Sequence, residues 1–239
     1  MICKSFFIQL CLAILLSNNL GWGQGLDNFE EKKIRMIEDQ IRKRGIKNET
    51  VLKAMSSVRR ELFVPENLQK SAYSDRPLPI GKGQTISQPY IVAFMTEQLM
   101  VGPEHRILEI GTGSGYQAAV LGELAKYVYT IEIIPQLAAN AKSILTMLGY
   151  KNVTVRTGDG YEGWPDKSPF DRIIVTAAPE KIPQNLIDQL ANEGRMIIPV
   201  GPRFDIQYLW VIEKDISGKL NKERVLPVRF VPMVKKSIT

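Results

Sequence analysis

The first hundred residues and the rest of the chain differ in the spacing of their apolar side chains. In the first part these side chains recur every three or four positions, as at Phe29, Ile34, Ile37 and Ile41. This spacing is typical of amphipathic helices, and Gly45 provides a stop signal. The pattern predicts helices at 27–44, 51–58, 66–72 and 89–101. The segment 75–89 contains three Pro and two Gly, which favours an ordered loop.

Beyond residue 102, short apolar runs alternate with helical stretches. The runs predict strands at 106–110, 127–133, 153–156, 171–176 and 195–200. The stretches between them predict helices at 116–125, 135–148 and 183–190. Because strands that alternate with helices form βαβ units, we predict an α/β fold with a mostly parallel central sheet and helices on both faces. Two more strands, 207–213 and 224–231, follow without an intervening helix and predict an antiparallel edge.

Composition is that of a globular protein. The chain has 239 residues, of which 44% are apolar and 23% are charged, and these values exclude a disordered or fibrous chain. We divide it into a leading segment, an N-terminal helical and loop region, and an α/β core, at residues 1–23, 24–101 and 102–239. The last two regions are expected to form one compact domain.

Residues 1–23 have the layout of an export signal. Lys4 precedes an apolar run from Phe6 to Leu16, and Gly21, Trp22 and Gly23 follow. The run is too short to span a membrane comfortably, so we predict a cleaved signal and no stable membrane span in the mature chain. An uncleaved anchor and a start codon placed too early are the alternatives. Both Cys residues lie in this segment, so the mature chain has no thiol chemistry.

The net charge and the small number of metal-ligating side chains limit the possible partners and cofactors further. The net charge is +6, and no run of like charges concentrates it, so the chain permits an acidic partner without requiring nucleic acid. One His and two Cys are too few for the common zinc sites, and we expect no metal. The single His, His105, precedes the first core strand and is interpreted as a surface residue.

A glycine-rich turn, Ile-Gly-Thr-Gly-Ser-Gly-Tyr at 110–116, joins the first core strand to its helix. Ligands of open α/β sheets bind outside the carboxyl ends of the strands, and glycines there let the backbone approach a ligand. The turn is not a dinucleotide fingerprint, because Tyr116 occupies the last glycine position, and it is not a P-loop. Alone, it is equally compatible with a tight connection between strand and helix.

Two acidic residues are predicted at the same edge of the sheet. Glu132 ends the second core strand, where a carboxylate can accept hydrogen bonds from ribose hydroxyls. Asp159 and Gly160 follow the third strand. Each has a plain alternative, a surface residue at a strand end for Glu132 and a turn for the Asp-Gly pair. Together with the glycine turn, they indicate a nucleoside ligand without phosphates.

Four segments resemble the protein-L-isoaspartate (D-aspartate) O-methyltransferase family, which uses S-adenosylmethionine. Residues 108–116 match its first methyltransferase motif, residues 79–89 match a signature of this family, and residues 61–65 and 228–232 also fit. The similarity extends from residue 30 to residue 233. It implies a Rossmann-like class I methyltransferase fold with an N-terminal helical extension. It also implies a cytoplasmic protein, whereas residues 1–23 predict export to the periplasm.

The resemblance implies transfer of a methyl group from S-adenosylmethionine to the free α-carboxyl of L-isoaspartyl residues in damaged proteins and peptides, with D-aspartyl residues as a second candidate acceptor. The ester then closes to a succinimide, which starts repair. Because the acceptor carboxyl is already ionised at neutral pH, the reaction needs no strong general base. The donor is a cation and the acceptor an anion, so a dry site that aligns the reacting atoms favours the transfer.

Site residues follow from the same resemblance. Ser87 is the catalytic candidate, because its hydroxyl and the backbone amides at the start of a helix suit an anion; its alternative is a helix N-cap. The substrate-binding candidates are Thr85, Ile86, Gln88 and Gln207. The donor-binding candidates are Glu109, Gly111, Thr112, Gly113, Ser114, Gly115, Glu132, Asp159 and Gly160. Trp164 packs either near the adenine or only over its own loop.

Three other functions stay open on the sequence. A nucleic-acid N-methyltransferase would carry an Asn/Asp-Pro-Pro-aromatic run where this chain has Thr-Ala-Ala-Pro at 176–179. A methyltransferase with another carboxyl or small-molecule acceptor is the second alternative, and its metal-dependent kinds need a carboxylate cluster that the sequence does not show. A non-catalytic nucleoside- or peptide-binding module is the third. We expect damaged proteins and peptides as partners, no nucleic acid, and a monomer.

Overall fold

The computed structural model describes residues 23–203 and 205–235, with side chains from residue 28 onward. Apart from Gly23, the predicted signal segment lies outside the described residues, and so do both Cys residues. Within the described part of the chain, none of the helices is long and apolar enough to cross a membrane.

The N-terminal region is helical, as predicted, but its helices are less regular than the periodicity implies. Helix α1 (Gly23–Arg35) continues as a π-helical turn (Met36–Ile41) and a 3₁₀ turn (Arg42–Arg44), and it ends at Gly45, whose φ is +100°. Helix α2 (Glu49–Ser57) is capped by the Asn48 side chain. Two 3₁₀ turns follow, at Arg60–Phe63 and Glu66–Ser71.

The Pro- and Gly-rich segment predicted as a loop contains a small hairpin. Strand β1 (Leu78–Gly81) pairs with β2 (Gln84–Ile86) in antiparallel orientation, and helix α3 (Pro89–Leu99) follows. The turn between the strands is Lys82-Gly83, and both residues have positive φ. Prolines and glycines in such short strands conceal the alternating pattern that normally predicts a hairpin.

The core sheet has seven strands. They are β3 (Arg106–Ile110), β4 (Tyr127–Glu132), β5 (Val153–Thr157), β6 (Phe170–Val175), β7 (Leu190–Val200), β8 (Gln207–Lys214) and β9 (Leu220–Val228). The helices between them are α4 (Tyr116–Gly122), α5 (Pro135–Met147) and α6 (Gln184–Asp188). The spatial order is β5-β4-β3-β6-β7-β8-β9, with the first five parallel and the last two antiparallel. This arrangement confirms the predicted fold class.

The sheet topology determines where a ligand can bind. The chain runs from β3 outward through β4 to β5, then returns to place β6 on the other side of β3. The strand order therefore reverses beside the carboxyl end of β3. A crevice forms at such a switch point because the flanking connections leave in opposite directions.

One hydrophobic cluster joins the N-terminal region to the sheet. It contains Ile41 and Met55 from the N-terminal helices and Ile107 and Val128 from the central strands. A second cluster on the opposite face packs α6 and the loop before β6 against the sheet. Because the first cluster crosses from residue 36 to residue 228, the N-terminal region is held against the core by a continuous apolar interface.

Candidate donor and acceptor site

Two adjoining cavities open at the carboxyl ends of the central strands. The larger has a volume of about 290 Å³ and lies against the ends of β3, β4 and β6. The smaller, of about 40 Å³, lies between the glycine turn, the β2 hairpin strand and α3. Four residues line both cavities, namely Thr85, Gly111, Gly113 and Thr176. A ligand in one cavity therefore shares a wall with a ligand in the other.

The conformation of the glycine turn is constrained by Thr176, which directly follows strand β6. Gly111 has a φ of +97°, and a Cβ atom there would lie 2.4 Å from Thr176 Oγ1. That hydroxyl donates to the carbonyl oxygens of Ile110 and Gly111, at 3.0 and 2.7 Å. Only glycine fits at this position, because any side chain would be both strained and in collision with Thr176. The turn thus presents bare backbone to both cavities.

Glu132 lies at the end of β4 on the wall of the larger cavity. One carboxylate oxygen accepts from the Gly113 amide at 2.8 Å, and the other accepts from the Ile134 amide at 3.0 Å. These bonds fix the orientation of the carboxylate and tie it to the glycine turn. Each oxygen has a second lone pair, so the group keeps acceptor capacity toward the cavity.

Asp159 and Gly160, both predicted to bind the donor, differ in their contacts. The Asp159 carboxylate accepts from the Tyr161 amide at 2.9 Å and caps a short 3₁₀ turn, as the turn interpretation expects. Gly160 lies on the wall of the larger cavity, and a Cβ atom there would lie 2.3 Å from Ile110 Cγ2. The structure therefore brings the Gly160 backbone to the cavity and gives the carboxylate a turn-stabilising contact.

The remaining donor-binding candidates are not all on the cavity walls. Thr112 and Ser114 line the smaller cavity, and the Thr112 hydroxyl also hydrogen-bonds to Thr130 at 2.6 Å. Gly115 lines neither cavity; a Cβ atom there would contact Ala141 and Leu145 of α5, so this glycine allows close helix packing.

Glu109, another predicted donor-binding residue, is likewise absent from both cavity walls. It is fully buried in β3, opposite Thr130 of β4, and neither carboxylate oxygen has a hydrogen bond within the described residues. Burial raises the pKa of Glu109 to about 8. The group is therefore mostly protonated at neutral pH and leaves the sheet interior uncharged.

Ser87 lies on the wall of the smaller cavity, with Thr85 and Ile86. The N-cap of α3 is Gln88, and no side chain caps this helix. Within the described residues no hydrogen bond engages the Ser87 hydroxyl, so the N-cap interpretation of Ser87 is wrong. The hydroxyl remains available to a ligand in the smaller cavity.

Two of the substrate-binding candidates, Gln88 and Gln207, lie outside both cavity walls. The Gln88 amide donates to the Asp75 carbonyl at 3.2 Å and to its carboxylate at 2.7 Å, and Gln88 lines neither cavity. Gln207 is buried; its side chain donates to Pro202 O and Phe230 O, and it accepts from the Phe230 amide at 2.6 Å. Gln207 therefore positions the C-terminal segment, and it lines neither cavity.

The C-terminal segment forms a wall that the sequence analysis did not predict. Residues 231–234 line the larger cavity, and the segment is bonded to Ala178, with Ala178 N donating to Val231 O and Met233 N donating to Ala178 O, each at 2.8 Å. Tyr161 also donates to Met233 O at 3.3 Å. Thr176, a second missed wall residue, directly follows β6, and the rule that ligands bind at carboxyl ends could have identified it.

His105 and Trp164 both lie away from the cavity walls. His105 is half-buried, and its Nδ1 accepts from the Gly102 amide at 2.8 Å, so it is a structural residue and not a freely exposed one. Trp164 is buried against Tyr129, with ring centroids 5.6 Å apart, which supports a role in covering its loop.

Within the described residues, no group of three or more His, Cys, Asp or Glu side chains is placed to hold a metal ion.

The larger cavity fits a nucleoside with a short charged tail. Its walls supply bare backbone at Gly111, Gly113 and Gly160, one oriented carboxylate at Glu132, and apolar side chains from β3, β4 and the C-terminal segment, and the exposed residue Arg203 lies at its edge. Apolar walls suit the faces of a base, and the strand-end carboxylate suits ribose hydroxyls. No cationic side chain projects from the glycine turn, so the turn is suited to a ligand without phosphates.

Comparisons with known proteins give one consistent family. The family model described as Protein-L-isoaspartate(D-aspartate) O-methyltransferase (PCMT) matches residues 31–238. The chain is 53% identical to the protein-L-isoaspartate O-methyltransferase of Gloeobacter violaceus over 201 residues, which cover 84% of this chain and 98% of that protein. It is 54% identical to protein-L-isoaspartate O-methyltransferase 1 of Syntrophobacter fumaroxidans over 209 residues, covering 87% of this chain and 97% of that protein.

Solved structures agree with the sequence relatives. A protein-L-isoaspartate O-methyltransferase superposes with a TM-score of 0.76 at 30% identity, covering 85% of this chain and 65% of that one. A candidate protein-L-isoaspartate O-methyltransferase from Plasmodium falciparum, solved in complex with S-adenosyl-L-homocysteine, superposes with a TM-score of 0.75 at 26% identity, covering 85% of this chain and 99% of that one.

Proposed function

Because this chain belongs to the protein-L-isoaspartate(D-aspartate) O-methyltransferase family, we propose that it methylates the free α-carboxyl of L-isoaspartyl residues in damaged proteins, with S-adenosylmethionine as the donor. The observation that carries the proposal is the pair of cavities that share a wall. One has the features of a nucleoside site, and the other presents the Ser87 hydroxyl. Donor and acceptor sites that adjoin in this way are what a direct transfer between two bound molecules requires.

The larger cavity is assigned to the donor. Glu132 would accept from the ribose hydroxyls, the Gly111 and Gly113 backbone would lie beneath the amino-acid end, and Gly160 would border the base. When bound, S-adenosylmethionine supplies an electrophilic methyl group on a sulfonium centre. The protein's part is to hold the reacting atoms in line and to exclude water, for which the C-terminal wall at 231–234 is suited.

The smaller cavity is assigned to the acceptor carboxyl. At neutral pH this carboxyl is an anion, so Ser87 has no proton to remove from it. The hydroxyl instead donates a hydrogen bond to one carboxylate oxygen, which leaves the other oxygen as the nucleophile. A neutral donor suits this task, because a directly contacting cation would hold the anion more strongly and lower its nucleophilicity.

The experiment is methyl transfer by residues 24–239 from labelled S-adenosylmethionine to two peptides that differ only in one L-isoaspartyl or L-aspartyl residue. Base-labile label on the isoaspartyl peptide alone is the expected result. Equal labelling of both peptides would point to another carboxyl acceptor. Donor binding with no labelling of either peptide would indicate a binding module without catalysis.

Partners and oligomeric state are part of the same proposal. The family acts on proteins that contain isoaspartyl residues, and we propose that this chain does so as a monomer and without nucleic acid. The modest, dispersed net charge of +6 supports the absence of nucleic acid. A sedimentation measurement and a fluorescence titration with single-stranded RNA test both statements, and a stable dimer or submicromolar RNA binding would contradict them.

Localisation is proposed from sequence alone. Residues 1–23 have the layout of an export signal, and we propose that they direct the chain to the periplasm and are removed. N-terminal sequencing of the protein from separated cell fractions tests this, with a new N-terminus near residue 24 in the periplasmic fraction as the expected result. An intact N-terminus in the cytoplasm would contradict it.

A further inference from the structure

Arg60 is a buried arginine directly behind the acceptor cavity. Its side chain is fully buried in the short turn that follows α2. Its Nε donates to the Ala72 carbonyl and one terminal nitrogen donates to the Ser87 carbonyl, each at 2.7 Å. The guanidinium carbon lies 4.7 Å from the ring centroid of Tyr116. Since Ser87 and Tyr116 both line the smaller cavity, Arg60 contacts two of its walls from behind.

The charge of Arg60 lacks a counter-ion. Within the described residues, no carboxylate forms an ion pair with it, and its Nη1 has no hydrogen-bond partner. The adjacent acidic side chain, Glu61, is turned to other partners, accepting from Tyr73 Oη at 2.5 Å and from Arg59 Nε at 2.8 Å. A buried and unpaired charge is costly, so proteins rarely keep one without a partner.

We infer that Arg60 is a positioning residue for the acceptor, and that the missing counter-ion is the substrate carboxylate itself. This inference rests on the proposed function. Arg60 holds the Ser87 carbonyl away from the cavity, which leaves the Ser87 hydroxyl as the group facing the acceptor. Its charge also makes the smaller cavity attractive to an anion, although the guanidinium and the carboxylate are separated by the Ser87 backbone.

The separation has a chemical consequence. Methyl transfer consumes the negative charge of the carboxylate, so a cation that favours the anion stabilises the bound substrate more than the transition state. Such an interaction contributes to substrate affinity and not to the chemical step. Arg60 should therefore act mainly on KM for the peptide, and it should discriminate a carboxylate from an uncharged group of the same shape.

The test compares an isoaspartyl peptide with its α-carboxamide analogue, which has nearly the same shape but no charge and serves as a competitive inhibitor. We expect the unsubstituted enzyme to bind the carboxylate peptide more tightly than the carboxamide. Arg60→Gln should raise KM for the carboxylate peptide roughly tenfold, change kcat by no more than about threefold, and largely abolish the preference for the carboxylate. Affinity for S-adenosylhomocysteine, measured by calorimetry, should change by less than about twofold, because Arg60 does not line the donor cavity.

Arg60→Lys keeps the charge and loses one of the two carbonyl contacts, so it should retain most of the carboxylate preference even if its stability falls. It also keeps the test decisive if Arg60→Gln does not fold. The matched control is Arg195→Gln; Arg195 also donates to a backbone carbonyl, that of Gln98, and pairs with Glu213 at the opposite end of the sheet. It should lower stability without changing the carboxylate preference.

Two results would overturn the inference. One is an unchanged carboxylate preference in Arg60→Gln, and the other is loss of that preference in Arg60→Lys. Failure of the proposed function is a separate outcome, since it would show as no methylation of the isoaspartyl peptide by the unsubstituted enzyme.

Discussion

The donor and acceptor sides of the site each have one charged group that the backbone holds in place, and these two groups have opposite charges. On the donor side a carboxylate, Glu132, is held by two backbone amides and lies on the cavity wall. On the acceptor side a guanidinium, Arg60, is held by two backbone carbonyls and lies behind the wall. The ligands proposed for the two cavities carry the complementary features, ribose hydroxyls with a sulfonium on one side and a carboxylate on the other.

The difference between the two sides follows from the chemistry each ligand must undergo. The ribose does not react, so a charged residue can contact it directly at no cost to the rate. The carboxylate must act as a nucleophile, so in the proposed function the neutral hydroxyl of Ser87 makes the contact and the Arg60 cation lies behind Ser87. A charged residue in direct contact therefore provides affinity for the unreactive ribose, and a more distant charge provides affinity for the reacting carboxylate.

The largest effect is expected at the glycine turn. In Gly111→Ala the new Cβ would lie 2.4 Å from Thr176 Oγ1 at a φ of +97°, so the turn must shift and the donor site deforms. We expect affinity for S-adenosylhomocysteine to fall by about a hundredfold or more, as measured by calorimetry.

Gly149→Ala is the matched control for this substitution. Gly149 has a φ of +83°, but a Cβ atom there would meet nothing within 4 Å. It carries the same kind of backbone strain without a collision, and it lies beyond α5, away from both cavities. If the two variants lose donor affinity equally, the rigid glycine turn is not what shapes the donor side.

The next effect is expected at Glu132. In Glu132→Gln one acceptor oxygen is replaced by an NH₂ group, which would face a backbone amide and misalign the side chain. Loss of hydrogen bonds to a charged group costs about 1.5–3 kcal/mol, so donor affinity should fall by roughly tenfold to a hundredfold, with KM for the peptide little changed.

Glu97→Gln controls for this change. Glu97 also accepts from two backbone amides, those of Lys47 and Asn48, both at 2.8 Å, but it lies on α3 outside both cavity walls. It should lower the free energy of unfolding without affecting donor affinity. A loss of donor affinity in Glu97→Gln comparable to that in Glu132→Gln would mean that the donor side senses general stability and not the strand-end carboxylate.

The donor side could be predicted from the sequence better than the acceptor side. Strand β3 was predicted with its observed ends, and β4 to within one residue, because short apolar runs between polar residues leave little freedom of placement. Parallel strands then bring the glycine turn and Glu132 to one edge of the sheet. No comparable rule predicts that the residues of the acceptor side lie close together. They come from a turn, a hairpin and a helix of the N-terminal region.

The differences between the predicted and the observed structure also have physical causes. Strand β9 begins four residues earlier than its apolar run, because hydrogen bonds to β8 extend a largely exposed edge strand through polar residues. Gln88 and Gln207 are predicted as substrate contacts, yet the Gln88 amide binds the carbonyl and the carboxylate of Asp75, and Gln207 binds backbone groups. The direction of a side chain is not encoded in its position along a motif. Arg60 stands in a charged stretch, Arg-Arg-Glu at 59–61, that is typical of a surface turn, although the structure buries it.

An effect of similar size, confined to the acceptor side, is expected for Ser87→Ala. Loss of one hydrogen bond to the bound carboxylate should lower kcat/KM for the isoaspartyl peptide by an amount equivalent to about 1.5–3 kcal/mol. Donor affinity should stay within about twofold of the unsubstituted value. Initial rates at saturating donor measure the first quantity, and calorimetry measures the second.

Ser57→Ala is the control for Ser87→Ala. Its hydroxyl donates to Lys53 O at 3.0 Å at the end of α2, away from both cavities, so catalysis should be unaffected. Unchanged kcat/KM in Ser87→Ala would remove Ser87 from the acceptor side and, with it, the reason for a cation held behind that residue.

The smallest effect on ligand binding is expected for Glu109, which lines neither cavity, so its substitution should be seen in stability. Burial raises its pKa from the ordinary 4.5 to about 8 in the folded protein. Between these values the folded state keeps a proton that the unfolded chain has lost, so the group's contribution to stability is complete below pH 4.5 and is lost as the pH rises toward 8. Glu109→Gln removes this dependence. From about pH 5 to about pH 9 its free energy of unfolding should rise relative to the unsubstituted protein by roughly 4 kcal/mol, because each pH unit between the two pKa values contributes about 1.4 kcal/mol.

Urea denaturation across that pH range measures the difference, with Glu104→Gln as the control. Glu104 is exposed, and its pKa is lowered by a hydrogen bond from Lys126, so its contribution is constant above about pH 5. A flat difference for Glu109→Gln would mean that Glu109 is ionised in the folded protein. The interior of the sheet would then carry a negative charge at β3, contrary to the protonated state that its burial favours.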